Sequence, residues 1–188
     1  MFEQVKKCFV LHFLVGMLMT GSALPAIAAK KDSIIGKVSN VKEGAGTLKI
    51  VKNIIDANAK GVRIRKKGKK SATLSDISVG DIVRIKGILD ISGIIRVTDI
   101  KDPVKLKGYD ALITGTSEYV NTAEKTFTVF GQKIDASNLS GINMSGMIIS
   151  FSNMRSGVSV DVYVKAKGGS LLAQKVTIRP ESCTFCHD

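Results

Sequence analysis

The sequence has no tryptophan, three prolines and only 5% aromatic residues. A chain with so few rings lacks the aromatic platform on which single-stranded nucleic acids stack, so no specific nucleic-acid binding is expected. Catalytic signatures are missing as well: there is no G-x-S-x-G, H-E-x-x-H or P-loop pattern, and no paired carboxylates stand in an apolar context. Of two histidines and three cysteines, His12 and Cys8 fall within the first 28 residues. The chain beyond residue 28 keeps one histidine, His187, and two cysteines, Cys183 and Cys186. A Ser-His-Asp arrangement would have to recruit that one histidine from beside a cysteine. An enzyme is not expected.

The first residues explain where the other rare side chains go. MFEQVKK is followed by the apolar run CFVLHFLVGMLM and then by GSALPAIAA, with Ala26 and Ala28 in an A-x-A pattern. These are the three parts of a secretory signal, expected to occupy 1–28 and to be cleaved after Ala28. The apolar run is shorter than the roughly 20 residues that span a bilayer. A periplasmic or extracellular protein is therefore expected. Its formal charge is high: Glu3, Lys6 and Lys7 carry a net +1 of the +12, leaving +11 on the remainder. Such a chain favours anionic surfaces, anionic polymers or acidic partner proteins.

Comparing the chain with itself reveals a repeat. IGKVSNVKEGAGTLKIV (35–51) aligns without a gap on TGTSEYVNTAEKTFTVF (114–130), placing Gly36 on Gly115. VGDIVRIKGILDISGII (79–95) aligns on SGVSVDVYVKAKGGSLL (156–172), placing Gly80 on Gly157. Apolar residues recur at every second position, as in Val158, Val160, Val162 and Val164, with Gly-Asp, Ser-Gly and Gly-Gly punctuation. That is the pattern of short antiparallel strands. Strands are expected near 33–42, 46–52, 61–66, 81–89, 93–101, 111–121, 125–130, 132–136, 146–151, 158–167 and 170–179. Five strands in about 70 residues suit a small closed barrel rather than a two-layer sandwich. The expected fold class is all-β: two tandem small OB-like β-barrels at 33–102 and 111–180, a linker at 103–110 with little contact between them, and a short irregular tail at 181–188.

The motifs Thr47-Leu48-Lys49-Ile50 and Ser78-Val79-Gly80-Asp81-Ile82-Val83-Arg84-Ile85-Lys86-Gly87, after an early G-x-V, resemble a bacterial exported family of small OB-like β-barrels without an assigned function. The resemblance covers most of 33–102 and is looser over 111–180, where Gly157-Val158-Ser159-Val160 replaces Gly80-Asp81-Ile82-Val83. It implies a fold and an exported location, and it carries no catalytic residues.

Two stretches carry candidate chemistry. VRIRKKGKK holds Arg63, Arg65, Lys66, Lys67, Lys69 and Lys70, six cations in nine residues. On an OB-like barrel such a run suits an anionic surface or polymer, and it equally suits a solvated edge kept soluble by lysine. The second stretch is SCTFCHD (182–188), which contains C-x-x-C-H. Scattering three such residues at random over the chain after the signal gives this spacing with a chance on the order of one in ten thousand. A disulfide across two residues gains little entropy, RPESC offers no helix start to lower a thiol pKa, and three crowded ligands fall short of a zinc site. The motif resembles that of c-type cytochromes, which implies one covalent haem c, thioethers at Cys183 and Cys186, and His187 as the iron ligand. Met144, Met147 and Met154 are candidates for the opposite iron position or, more plainly, core fillers.

The leading expectation is an exported monohaem electron-transfer or redox-accessory protein that meets a redox partner in the cell envelope. The alternatives are a non-enzymatic envelope binding or assembly module with a thiol or disulfide tail, and an OB-like binder of anionic polymers through Arg63, Arg65, Lys66 and Lys67.

Overall fold

The computed structural model describes residues 32–51, 53–58, 62–101 and 106–179. The expected signal and the C-x-x-C-H segment lie outside the described residues. Within them the chain is all-β, with 57% in strands and only three-residue 3₁₀ turns as helical structure. The first half comprises β1 (Asp32–Lys42), β2 (Thr47–Ile50), β3 (Asn53–Asp56), β4 (Arg63–Arg65), β5 (Ile82–Leu89) and β6 (Ile95–Lys101). The second comprises β7 (Ala111–Asn121), β8 (Thr126–Val129), β9 (Gln132–Asp135), β10 (Ile142–Met144), β11 (Met147–Ile149), β12 (Ser159–Lys167) and β13 (Ser170–Ile178). Alternation decides which faces are buried. In β7, Ala111, Ile113 and Ser117 point inward, and in β12 Val160, Val162 and Val164 do the same. Each such Ile or Val contributes roughly 1.5–3 kcal/mol on burial.

Two strands were not expected. The expected strand at 46–52 runs past the point where the chain reverses, at Val51, which takes φ 52° without a glycine to mark the turn. β3 is thereby separated from β2. The matching reversal in the second half falls at Phe130-Gly131, where glycine makes the turn visible in the sequence. β10 is short and lies in a polar stretch with no clear alternation.

The pairings in each half run in a closed cycle. β1 pairs with β2, β2 with β3, β3 with β6, β6 with β5, and β5 with β1 again. The second half repeats this as β7, β8, β9, β13, β12 and back to β7. All contacts in the cycle are antiparallel except β3 with β6 and β9 with β13. β4 and β10 each run parallel beside the last strand of their half. The register also corrects the sequence alignment by one residue. Leu89 pairs with Ile95, whereas Ala166 pairs with Leu171, so Leu171 and not Leu172 is the counterpart of Ile95. The second half makes that turn one residue shorter.

The halves are not loosely tethered. β1 and β7 form an antiparallel ladder, Ser33 to Thr114, Ile34 to Ile113, Ile35 to Leu112 and Gly36 to Ala111. Ile34 and Ile113 are equivalent residues of the repeat and face each other, so the joint has a local two-fold axis. Both are fully buried, and the buried residues of the two halves form one contiguous cluster. The ladder answers the need of a strand edge for partners: β2 takes only Val38 to Lys42 on that side of β1. Gly36 permits the approach, since a Cβ there would sit 2.5 Å from Ile50 Cγ2 and 3.3 Å from Ala111 Cβ. Of the expected linker, 103–105 lie outside the described residues.

Candidate functional site

Cys183, Cys186 and His187 lie outside the described residues, and the structure fixes the point from which the chain runs toward them. β13 ends at Ile178. The next amide, of Arg179, donates to the Ser159 carbonyl at 2.9 Å. The Arg179 guanidinium donates to Asp161 through Nε at 3.0 Å and through a terminal nitrogen at 2.5 Å. Thr114 Oγ1 also donates to Asp161, at 2.6 Å. Asp161 is thus the acceptor that pins the strand end, by a two-pronged charge-assisted contact. In β10, Asn143 and Met144 stand in register with Thr177 and Ile178. The last described strand therefore ends beside the β10–β11 hairpin.

The structure separates the three methionines. Met154 is 1% exposed and occupies the place that Ile77 holds in the first half, each directly after a 3₁₀ turn. Isoleucine has no ligating atom, so the shared position is one of core packing, and Met154 cannot reach a haem without opening the core. Met144 and Met147 pair across the β10–β11 hairpin, whose turn places Ser145 and Gly146 at φ 51° and 90°. Met144 packs partly against the core, while Met147 is 60% exposed.

Three of the six cations of the basic run, Arg65, Lys66 and Lys69, pair with carboxylates at home. Arg63 and Arg65 lie on β4, at one end of the sheet. Arg65 makes a fork to Asp99 at 3.2 and 2.6 Å. Lys66 donates to Asp81 at 3.0 Å and to the Asp76 carbonyl, and Lys69 pairs with Asp76. The Asp76 carboxyl is held below its ordinary pKa chiefly by Lys69, then by the Thr73 amide. Asp81 is lowered chiefly by the Ser78 amide, then by Lys66.

Two features escaped the sequence reading. A cleft of about 370 Å³ opens at the joint, between Lys37, Val38, Val51 and Val79 of the first half and Asp110 and Ala166 of the second. Its origin is a break in the two-fold. Leu89, the counterpart of Ala166, packs over Gly131, where a Cβ would lie 2.6 Å from Leu89 Cδ2. Alanine leaves the equivalent space open. The signal was present in the alignment, where Leu89 lies on Ala166. The second feature is Asp32, whose carboxyl lies against Gly115 across the joint. Burial pushes its pKa up to about 6, with the Glu118 charge adding to the effect.

No group of three or more His, Cys, Asp or Glu among the described residues is arranged to hold a metal. No protein-family model, curated protein or solved structure matches the chain.

Proposed function

We propose that the chain is an exported monohaem c-type electron-transfer or redox-accessory protein, with the haem carried by Cys183, Cys186 and His187 and presented by two OB-like barrels. The observation that carries this reading is that every cysteine and histidine after residue 28 falls in one C-x-x-C-H motif. The donor set fits the group: two thiols at the spacing of the porphyrin vinyls and an adjacent imidazole for the iron. A haem so held supplies one-electron exchange. The described residues contain neither histidine nor cysteine, so the barrels contribute no general base of that kind and serve as carriers. For the barrel reading, the support is the closed five-strand cycle of each half, completed by one parallel pair as in a five-stranded Greek-key barrel. Charge supports an acidic partner, because a chain of net +11 outside its signal meets it with a complementary field. The ion pairs that Arg65, Lys66 and Lys69 make at home count against a polymer-binding loop.

The test is haem staining of the denatured protein after expression in cells that mature c-type cytochromes. A covalently coloured band, lost in Cys183→Ala, Cys186→Ala, is the expected result. A colourless protein with two alkylatable thiols or one disulfide overturns the reading in favour of a thiol-bearing binding module.

A further inference from the structure

The two ends of the β1–β7 ladder are related by the local two-fold, yet they are built differently. Beyond the Gly36–Ala111 pair, where Lys37 and Asp110 follow, lies the cleft of about 370 Å³. That volume falls within the range of small-molecule sites. At the opposite end the repeat places a larger side chain at two of the lining positions: Phe130 stands for Val51, and Leu89 for Ala166. Phe130 and Val51 share a left-handed backbone, at φ 51° and 52°, but Phe130 is 3% exposed while Val51 is only partly buried. Leu89 packs over Gly131. One end of the joint is filled by its own side chains, and the other is left open.

The open end also differs in chemistry. Val79, 65% exposed on the cleft wall, takes the position of Ser156. Covering it and its apolar neighbours would remove their surface from water. Lys37 takes the position of Thr116, and Ser39 that of Glu118, so the open end carries a cation in place of a hydroxyl and a hydroxyl in place of an anion. The Lys37 side chain runs near Gly80, where a Cβ would lie 3.8 Å from its Cε. Among the described residues no carboxylate pairs with Lys37. The other charge on the lining, Asp110, is already engaged: its carboxylate accepts from the Ala166 amide at 2.8 Å. The charge left without an answer is positive, and it stands beside an apolar floor.

We propose that the cleft at the joint binds an amphiphile made of one apolar chain and a carboxylate head. The chain lies on Val38, Val51, Val79 and Ala166, and the carboxylate meets the Lys37 ammonium. The site is built wholly from the two halves and does not depend on haem being attached.

The test is calorimetric titration of octanoate into the full-length Cys183→Ala, Cys186→Ala protein, in which no haem can be attached. Octanoate should bind at one site, and decanoate more tightly by about fourfold per added methylene. Ala166→Leu and Val51→Phe each copy the filled end and should weaken octanoate by about tenfold or more, because the chain loses its seat. Thermal melts check that each variant is folded, and either one suffices if the other fails to fold. Lys37→Met should weaken octanoate by about threefold to fivefold, the range of an exposed ion pair, and leave octanol unchanged. The absence of octanoate binding, or an affinity untouched in a folded filling variant, overturns the site. Octanol binding as tightly as octanoate overturns the carboxylate head, and tighter binding of octyltrimethylammonium overturns it in favour of Asp110. A concentration-dependent dimer of the ligand-free protein that a filling variant abolishes also overturns the proposal, by identifying a second copy as the occupant.

Discussion

Replacing Gly36 by alanine puts a methyl group 2.5 Å from Ile50 Cγ2, a fully buried and stiffly branched side chain, and 3.3 Å from the Ala111 Cβ across the joint. Its repeat counterpart Gly115 meets a different neighbour, the Asp32 carboxyl at 3.0–3.2 Å, the partly buried end of a side chain that can turn aside. Neither glycine has a positive φ, so alanine suits both backbones. The unfolded chain loses freedom in each case, which favours the folded state by about 0.4–1 kcal/mol. Overpacking a tight core costs typically about 1–3 kcal/mol. The sum for Gly36→Ala is a net loss of about 1–2 kcal/mol, and for Gly115→Ala a change within about 0.5 kcal/mol of zero. With no tryptophan to report unfolding, urea titrations followed by far-ultraviolet circular dichroism supply the assay, comparing midpoints at constant slope. Equal losses at the two sites, or a neutral Gly36→Ala, would refute the claim that the joint is closed tightly at Ile50 and only loosely at Asp32.

Three further outcomes are expected. Asp32, with its pKa raised from 3.8 to about 6, binds a proton more tightly when folded, so its contribution to stability is present below 3.8 and is lost as pH rises through about 6. Thermal melts of Asp32→Asn should be flatter than the parent across that window and higher at neutral pH; an unchanged profile removes Asp32 as the cause. The lowered groups Asp76, Asp81, Asp90 and Asp135 act with the opposite sign, and only at lower pH. Ala166→Leu should fill the cleft at the joint and raise stability by about 0.5–1 kcal/mol, read as a shift in urea midpoint; a loss would mean that Leu89 is no guide to that position. Met154→Leu should cost less than about 1.5 kcal/mol and Met154→Ala about 2–5 kcal/mol. In protein carrying the proposed haem, neither should alter its spectrum beyond what loss of stability explains, and a specific spectral change at Met154→Leu would contradict its place in the core.

Much of the strand pattern could be read from period-two alternation and from the repeat, because buried β-branched residues in short strands leave a direct mark on the sequence. β3 escaped because Val51 makes a turn without turn chemistry. The joint escaped for a deeper reason: an edge-to-edge ladder uses backbone groups, and Ser33 to Gly36 look no different whether they face water or Thr114 to Ala111. The ion pairs of Arg65, Lys66 and Lys69 were equally hidden, since Asp99, for one, is 34 positions from Arg65. The cysteine–histidine motif, by contrast, is a pattern of spacing alone, and it lies outside the described residues.

The two-fold relation at Ile34 and Ile113 bears on how such a chain comes to exist. A single repeat carrying this first strand presents an edge that is complementary to itself, so two separate copies would associate isologously through the same ladder. Joining them in one polypeptide turns a concentration-dependent association into an intramolecular one with high effective concentration. It also releases the copies from having to remain alike. One carries a lysine-rich loop where the other carries a methionine hairpin, and Leu89 in one corresponds to Ala166 in the other. Tandem fusion of a self-pairing strand is thus a route by which a symmetric dimer acquires two unlike ends.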